Sequence, residues 1–575
     1  MFPPLPDTLA CLPLDYDHDG DLDLLFLMER EGHVRLLRNE GGNDAHWLRL
    51  TAYARAFAGT NDSSAQANNS YAVGMTLEVR AGNDYQQVQI TGPATLVGLG
   101  EHERAAIVRV TWNHGIHDNY SLASPRLGLA ANASYHEEQL PRGSCPVLYA
   151  WDGSRYVMVS DCNWRSPLGM LFARGAPIPH HLTRDWLKVS DELLRPNEGV
   201  YHLVITEELR EAHYLDWAEL AVVDHPDDVE FYVDERLRLG DEAPFVLHTV
   251  RQPRQPIAAT TGDGRDLLAA IATRDGVYTE GVPPSKYRGL APRHELILDL
   301  GPLPDPRDVR LFLTGYVYPG GTSVNIAASQ DSTMDVGPTT FSVADGRGGW
   351  QVVDGNVGMP SGRDKTIVLE IPGGFPSEDH RVSLATSMEL RWDVAFFTSG
   401  EASAPTEIRR LPVASAELAY HGFARFSTRG ENGPVWYDFE NVFPRPLYPP
   451  IPGVYTRYGE VGALLQATDD RFIMQAAGDA VQMSFDGRAL PPPRPGWKRQ
   501  FVFLSDGWTK DSDPNTVTAD AVAPLPFHGM QRYPYGGDER FPDTEAHRRW
   551  QAEYNTRRVG GDPANLASPA PPLRQ

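Results

Sequence analysis

Five aspartates alternate with other residues close to the start of the chain: Asp15, Asp17, Asp19, Asp21 and Asp23. Ca²⁺ binds about six to eight oxygen ligands, and short carboxylate side chains on a tight turn can supply several of them. Gly20 gives the backbone of such a turn its conformational freedom. The spacing therefore predicts a calcium-binding loop, with Ca²⁺ as the cofactor. The alternative, an acidic solvated turn, is disfavoured because closely spaced carboxylates repel one another unless a cation neutralises them.

The predicted loop differs from an EF-hand at the position that closes the coordination shell. An EF-hand has a glutamate at the twelfth position of its loop, whereas this chain has Phe26 there. Asp23, at the ninth position, can close the shell instead. The apolar run over residues 24–28 predicts a buried strand rather than a helix, and residues 33–38 predict a returning strand. We therefore expect the loop to lie on a β-hairpin.

The loop, the hairpin and the closing segment that ends at Gly42 resemble one FG-GAP/VCBS repeat, the blade unit of integrin-like β-propellers. In that family the first, third, fifth and ninth residues of the loop supply side-chain oxygens, and the seventh supplies a backbone carbonyl. The resemblance implies that the ion is bound by the side chains of Asp15, Asp17, Asp19 and Asp23 and by the carbonyl of Asp21.

The stretch that follows is similar to the ASPIC/UnbV domain, which follows FG-GAP repeats in many bacterial proteins and in the extracellular cartilage acidic protein. The similarity rests on four segments in the family's order: 46–50, 73–82, 98–100 and 108–112. The family's usual glycine–serine–tyrosine segment is missing between residues 90 and 98. The resemblance implies a small β-domain that caps a propeller and an extracellular or periplasmic location, and it assigns no catalytic residue.

The start of the chain bears on both of these expectations. One hairpin cannot bury its own faces, and a propeller needs several blades. We therefore expect upstream blades that this chain lacks, with a family partner acting in trans as the weaker explanation. Residues 1–6 have neither the basic nor the apolar region of a signal peptide. No stretch approaches the roughly eighteen apolar residues of a membrane span, so we expect no membrane insertion.

Composition favours a mainly β protein. The 575 residues include 52 Gly and 48 Pro, a turn-rich content that suits many short strands better than long helices. Acidic residues outnumber basic ones, 76 against 52, which gives a net charge of −24. Such a charge repels nucleic acid phosphates and anionic lipids and attracts cations, so nucleic acid is excluded as an expected partner.

The order of these signals predicts several β-rich domains. The fold that we expect is mainly β, with a partial β-propeller blade, a small β-domain, β-sandwich-like domains and a short C-terminal helix. The predicted boundaries are 1–42 for the repeat remnant with the calcium loop, 43–127 for the ASPIC/UnbV-like domain, 128–250 for a β-rich domain with a Trp-Asp-Gly hairpin, 259–445 for a β-sandwich-like domain, 446–559 for a β-rich region with a terminal helix over 544–558, and 560–575 for a disordered tail. Within 259–445, residues 323–328 are predicted as one of the strands.

The three cysteines leave two interpretations open. Cys145 and Cys162 flank a predicted hairpin whose turn is Asp152-Gly153, a strong hairpin signal. They can form a cross-strand disulfide in an oxidising compartment, or they can be two reduced core thiols. Cys11 is left unassigned, and no CxxC pair indicates metal binding by cysteine.

Candidate acid–base residues lie in the C-terminal third. Asp506, Asp511 and His528 can act together only if the fold brings them into one pocket, and a histidine beside Phe527 is more often a structural hydrogen-bonding residue. The alternation of Asp511, Asp513 and Asn515 allows either a second cation or an Asx-turn network.

Other features of the sequence have structural interpretations that we prefer. The pair His180-His181 lies in a Pro-rich loop and is interpreted as a surface feature. The aromatic residues Tyr316, Tyr318, Trp350 and Trp392 form either a sugar-stacking platform or, in our preferred interpretation, part of a sandwich core. The chain has no GxSxG, HExxH, P-loop or GxGxxG motif.

The function that we expect is that of an extracytoplasmic, calcium-binding, adhesion-type protein whose partner is a protein or glycan surface. The alternative is a carbohydrate- or ester-active hydrolase with its site in the C-terminal third, because a glycosidase needs only two suitably spaced carboxylates. A third alternative is a structural module of a larger envelope assembly. Convergence of Asp506, Asp511 and His528 in a pocket would favour the hydrolase.

Overall fold

The computed structural model describes residues 7–29, 33–41, 44–53, 71–112, 117–121 and 132–136, and residues 146–559 except 164, 241–243, 284, 286, 430–432, 444–445 and 449. The predicted tail over 560–575 and Cys145, one of the two candidate disulfide residues, lie outside the described residues. The chain forms two compact units, Met1–Leu140 and Pro141–Gln575. The predicted mainly β fold is confirmed.

The first unit begins with the sheet that carries the aspartate-rich loop. Its antiparallel strands are Thr8–Leu14, Asp23–Met28 and Val34–Leu37, in that order. The two strands expected after the loop are therefore present, and a further strand precedes it. Leu14 pairs with Asp23, so the two ends of the loop are held side by side on neighbouring strands.

The rest of the first unit is built from two sheets. In one, His46–Tyr53 pairs with Thr95–Gly100 and, in parallel, with Asn132–His136. The other has the order Asp84–Gln89, Thr76–Ala81, Ile107–Thr111 and His117–Ser121. Apolar residues alternate along the strands, so that Leu48, Leu77 and Val108 meet in a buried core. The parallel strand lies beyond residue 127, where the sequence predicts this domain to end.

The second unit is organised around a nearly closed, barrel-like sheet. Its strands, in spatial order, are Tyr156–Asp161, Val147–Trp151, Val200–Thr206, Asp479–Asp486, Glu407–Tyr420, Ala212–Pro226, Trp497–Lys510 and Arg184–Val189. Two short strands, Gly459–Glu460 and Ile473–Ala476, pair beside this path. The sheet thus interleaves strands from the predicted regions 128–250, 259–445 and 446–559, and it buries apolar side chains such as Leu220, Met483 and Phe503.

Residues 258–399 of the second unit contain two sheets that share one core. The larger has the order Ala258–Thr261, Leu290–Asp299, Arg381–Met388, Thr340–Ala344 and Trp350–Asp354, and the smaller has Lys365–Glu370, Val309–Val317 and Leu390–Ser399. Leu298 and Leu384 of the first sheet and Leu311 and Phe397 of the second lie in this core. Tyr316 and Trp392 are buried as well, as the preferred interpretation of these aromatic residues expects.

Short elements complete the second unit. The two-stranded pairs are Leu171–Ala173 with Ala176–Pro177, Glu230–Tyr232 with His248–Val250, Arg236–Leu237 with Met359–Pro360, Ala424–Thr428 with Val435–Val442, and Gly453–Tyr455 with Arg557–Val559. The 3₁₀ helices are Ala269–Ile271 and Gly462–Leu465. Among the residues that the structure describes, no helix has both the length and the apolar character that a membrane-spanning segment requires.

Within the described residues, the α-helices are Thr322–Ser329 and Glu545–Glu553. The second helix starts where the predicted C-terminal helix starts, and there the side chain of Thr544 accepts a hydrogen bond from the backbone N–H of His547. It ends at Glu553, before the predicted end at residue 558. The prediction of a strand over residues 323–328 is wrong. Asp513, distant in sequence, accepts hydrogen bonds from the backbone N–H (3.0 Å) and hydroxyl (2.5 Å) of Ser323 and so stabilises the first turn of a helix there.

Cys162 is buried and unbonded in the structure, with its thiol 3.7 Å from the carbonyl oxygen of Pro146. Burial raises the pKa of this thiol well above its usual value, so the thiol is neutral and unreactive near pH 7. Cys11 is exposed.

Candidate functional site

The aspartate-rich loop turns back on itself between two paired strands. His18 and Gly20 have φ angles of +65° and +98°, which reverse the chain within a few residues. A Cβ atom at residue 20 would overlap the indole ring of Trp47, so only glycine fits this position. The turn brings carboxylate oxygens of Asp15, Asp17 and Asp19 within 4.8 Å of one another.

The carboxylates of Asp15 and Asp17 are the strongest indication of a cation site. All four of their oxygens are shielded from solvent, and none of the described residues donates a hydrogen bond to them. Arg49 lies 3.6 Å from Asp15 and Arg38 lies 2.6 Å from Asp17, at ion-pair distance. Two guanidinium groups leave five neighbouring carboxylates with a net negative charge, which a divalent cation can neutralise.

Asp23 and Asp21 have different surroundings from the other three aspartates. The fully buried carboxylate of Asp23 accepts hydrogen bonds from the backbone N–H groups of Tyr16 (2.9 Å) and Asn39 (2.8 Å). It therefore ties the loop to the end of the hairpin. The backbone N–H of Asp21 donates to Asp19 at 3.2 Å. The donor set is composed of oxygen atoms, which fits Ca²⁺, and the ligand roles of all five aspartates stay predictions.

A second cluster of polar side chains surrounds His528. Its Nε2 lies 3.0 Å from Oδ1 of Asp506, and its Nδ1 lies 2.7 Å from Oδ1 of Asp470 and 3.7 Å from Oδ2 of Asp216. The imidazole ring packs against Trp508 with ring centroids 4.5 Å apart. The structure thus brings together two of the predicted acid–base residues, Asp506 and His528, and adds two carboxylates that the sequence did not indicate.

A β-bulge positions Asp216. In the ladder between Ala212–Pro226 and Trp497–Lys510, Leu215 pairs with Gly507 and Trp217 pairs with Asp506, so Asp216 is an extra residue without a partner. Bulges of this kind redirect side chains and are frequent beside active sites. A Cβ atom on Gly507 would overlap the carbonyl oxygen of Tyr214, so glycine is required opposite the bulge.

Hydrogen bonds hold the carboxylates of the cluster in place. Oδ2 of Asp216 accepts the backbone N–H groups of Asp469 and Asp470, each at 3.0 Å. Oδ2 of Asp506 accepts the hydroxyl of Thr468 at 3.1 Å and lies 3.5 Å from Nε of Arg184. Asp216 and Asp506 are buried, whereas the His528 side chain is 28% exposed and can be reached from solvent.

Burial and charge shift the pKa values of these groups in opposite directions. Burial lowers the pKa of His528, but the hydrogen bonds with Asp470 and Asp506 outweigh it and raise the pKa to about 10. Burial raises the pKa of Asp216 to about 7. Burial also favours the neutral form of Asp506, yet its hydrogen bond with His528 outweighs that effect and lowers its pKa. At neutral pH the cluster therefore holds an imidazolium between two carboxylates.

Asp511 does not join this cluster. It follows the end of the strand Trp497–Lys510, where its partly buried carboxylate accepts the backbone N–H of Asp513 at 3.3 Å, and desolvation raises its pKa to about 7. Asp513 in turn accepts the N–H of Asn515 (2.9 Å) and the hydrogen bonds from Ser323. These contacts match the Asx-turn network, the alternative to a second cation in this segment.

The His180-His181 pair also has a structural environment. Nε2 of His180 lies 3.3 Å from the carbonyl oxygen of Met530, and its own carbonyl accepts hydrogen bonds from Ser166 and Trp508. These bonds join the loop to the barrel-like sheet.

Sequence reasoning missed Asp216 and Asp470. The signal for Asp216 was a carboxylate inside the otherwise apolar strand segment 214–218, where an acidic residue needs a partner. The signal for Asp470 was weaker, since consecutive acidic residues before a strand are common in turns.

No protein-family model matches this chain, and no curated protein matches it. The FG-GAP/VCBS and ASPIC/UnbV resemblances stay predictions.

Proposed function

We propose that this protein is an extracytoplasmic, calcium-binding, adhesion-type protein of the FG-GAP and ASPIC/UnbV type, which binds a protein or glycan surface. The observation that carries the proposal is the convergence of Asp15, Asp17 and Asp19, with shielded oxygens of Asp15 and Asp17 that accept no hydrogen bond from the described residues and whose charge Arg49 and Arg38 offset only in part. Calcium would hold the loop in one conformation and so stabilise the folded state of the hairpin.

An exposed apolar face beside the loop supports a binding role. In the register of the first sheet, Leu12 lies opposite Leu25, and Leu27 lies opposite Val34. Because alternate residues share a face, Leu12, Leu27 and Val34 project from the same side of the sheet. They are 58%, 44% and 57% exposed. Neighbouring aliphatic side chains with this exposure favour a protein partner, of which an adjoining propeller blade is one form, over a glycan.

Calorimetric titration of the full chain with Ca²⁺ tests the proposal. We expect tight binding in the wild type and its loss in Asp17→Asn, which removes one carboxylate charge from the cluster. Asp84→Asn is the matched control, because Asp84 lies in the same unit and its side chain is 71% exposed. Calcium should also raise the melting temperature of the wild type relative to chelator. Unchanged calcium binding in both Asp17→Asn and Asp19→Asn would refute the calcium site.

The convergence of Asp506 and His528 supports a second candidate function, a carbohydrate- or ester-active hydrolase in the C-terminal third. A solvent-accessible imidazolium between two carboxylates can donate a proton to a leaving group. A panel of chromogenic esters and glycosides tests this candidate. We expect hydrolysis by the wild type and by Asp513→Asn, and none by His528→Gln. Equal turnover in the wild type and His528→Gln, or none by either, would reject it.

A further inference from the structure

We propose that Asp216, Asp470 and His528 form a binding site for a divalent transition-metal ion of the Zn²⁺ and Co²⁺ class, separate from the N-terminal calcium loop. One ligand atom from each residue lies within 4.8 Å of the other two. The site shares no residue with the calcium loop and takes a different metal. It shares His528 with the hydrolase candidate, but its test measures metal binding and not turnover.

The distances within the cluster suit a metal ion. Bonds of about 2.0–2.2 Å from zinc to nitrogen and oxygen ligands place neighbouring ligand atoms roughly 3–3.5 Å apart. Nδ1 of His528 lies 2.7 Å from Asp470 Oδ1 and 3.7 Å from Asp216 Oδ2, on either side of that range. Small side-chain rotations would therefore admit an ion, which would replace the proton now shared between His528 and Asp470.

An independent observation comes from the carboxylate of Asp216. This residue is fully buried at the β-bulge, and its Oδ2 accepts two backbone N–H groups. Within the part of the chain that the structure describes, no donor forms a hydrogen bond with its Oδ1. A buried carboxylate oxygen without a donor is energetically unfavourable, and a cation that the Asp216 carboxylate coordinates through Oδ1 as well as Oδ2 would remove that cost.

The second nitrogen of His528 is held as it is in known metal sites. A histidine that binds a metal generally donates its other ring N–H to a carboxylate, which fixes the tautomer and the ring orientation. Here Nε2 lies 3.0 Å from Asp506, which is itself held by Thr468 and faces Arg184. This arrangement leaves Nδ1, the nitrogen that faces Asp216 and Asp470, for the metal. Asp506 is accordingly a positioning residue.

The ligand types select the class of metal. Ca²⁺ and Mg²⁺ prefer shells composed entirely of oxygen, whereas an imidazole nitrogen with two carboxylates suits Zn²⁺, Co²⁺ and related ions. Three protein ligands leave coordination positions for water or substrate, as in metal sites that act as Lewis acids. The partial exposure of His528 provides access to these positions.

Cobalt titration of the metal-stripped full chain tests the proposal. The measurement is best made in the Asp17→Asn background, in which the N-terminal loop is disabled as a competing site. We expect one Co²⁺ per chain by mass spectrometry, with a visible d–d absorption band that Zn²⁺ abolishes by displacement. Asp216→Asn and His528→Gln should each remove the band, and the control His202→Gln should retain it, because His202 lies on another strand and contacts Ser484.

A second variant separates metal binding from misfolding. Asp506→Asn keeps all three ligands and should weaken Co²⁺ affinity by about 10–100-fold with the far-ultraviolet circular dichroism unchanged. A purely structural role for Asp506 would not move the Co²⁺ affinity of a folded chain. The proposal is overturned if His528→Gln binds Co²⁺ with unchanged stoichiometry and affinity, or if the Asp17→Asn chain binds neither Co²⁺ nor Zn²⁺.

Discussion

Glu208 allows a prediction whose size follows from its surroundings. Its side chain is buried after the strand Val200–Thr206, where Oε1 accepts the hydroxyls of Thr206 (2.7 Å) and Tyr149 (3.2 Å) and Oε2 accepts the backbone N–H of Ala424 (2.7 Å). All three donors are neutral. Burial raises the pKa of Glu208 from 4.5 to about 7, because these donors offset only part of the cost of removing a carboxylate from water.

The sign and the magnitude of the effect follow from proton linkage. Between pH 4.5 and about 7 the unfolded chain loses the Glu208 proton while the folded chain retains it. The free energy of unfolding therefore falls as pH rises through this window, and Glu208 lowers it by about 3 kcal/mol at pH 8. Below pH 4.5 both states are protonated and this contribution vanishes. Replacement by a neutral isostere should remove the pH dependence.

Glu208→Gln is the variant of choice, since the glutamine amide can accept from Ala424 and donate to the two hydroxyls. We expect it to be more stable than the wild type by about 3 kcal/mol at pH 8 and equally stable at pH 4. Urea unfolding followed by tryptophan fluorescence at both pH values measures the difference. Glu192→Gln, at an exposed position, should match the wild type at each pH. Equal destabilisation of Glu208→Gln at pH 4 and pH 8 would show that the hydrogen bonds, and not ionisation, dominate at this position.

Three further substitutions test how the site and the C-terminal segment are held. Gly507→Ala should lower the free energy of unfolding in urea by about 2 kcal/mol or more and weaken Co²⁺ binding, because the new Cβ would displace the Tyr214 carbonyl beside the bulge. Unchanged stability and Co²⁺ affinity would contradict this. Lys510→Met removes a buried ammonium that donates to the carbonyls of residues 521–523 at 2.9–3.3 Å. Amide hydrogen exchange should therefore accelerate first in residues 521–523. Uniform acceleration throughout the chain would argue against a local role. Trp550→Ala should lower the free energy of unfolding by about 3–5 kcal/mol and expose the C-terminal helix to proteolysis, since the Trp550 indole is buried. An unchanged digestion pattern would refute this.

Features that depend on neighbouring residues were predictable from the sequence. The aspartate-rich loop lies within nine residues, so the spacing of its side chains and a single glycine suffice to bring Asp15, Asp17 and Asp19 together. The start of the C-terminal helix was predictable in the same way, because two candidate capping side chains, Asp543 and Thr544, lie there, and the structure has Thr544 as the cap. The Gly- and Pro-rich composition predicted the mainly β fold, because frequent turns limit the chain to short elements.

Features that depend on register and long-range contacts were not predictable. The prediction of a strand over residues 323–328 was wrong because Asp513 supplies the hydrogen bonds that begin a helix there. Asp511 was grouped with Asp506 and His528 by proximity in sequence, yet the extended strand carries it away from them. The histidine cluster instead draws on residues far away in the chain.

The sequence by itself determined the aspartate-rich loop, the acidic charge and the mainly β character of this protein, because each arises from residue types at short spacing. Only the tertiary structure decided which partners surround His528. Asp216 reaches it through a β-bulge in a ladder that pairs residues 212–226 with 497–510, and Asp470 reaches it from a turn with a φ angle of +63°. The physical reason is that a bulge shifts the register of two strands distant in sequence, and no local pattern specifies where that shift occurs.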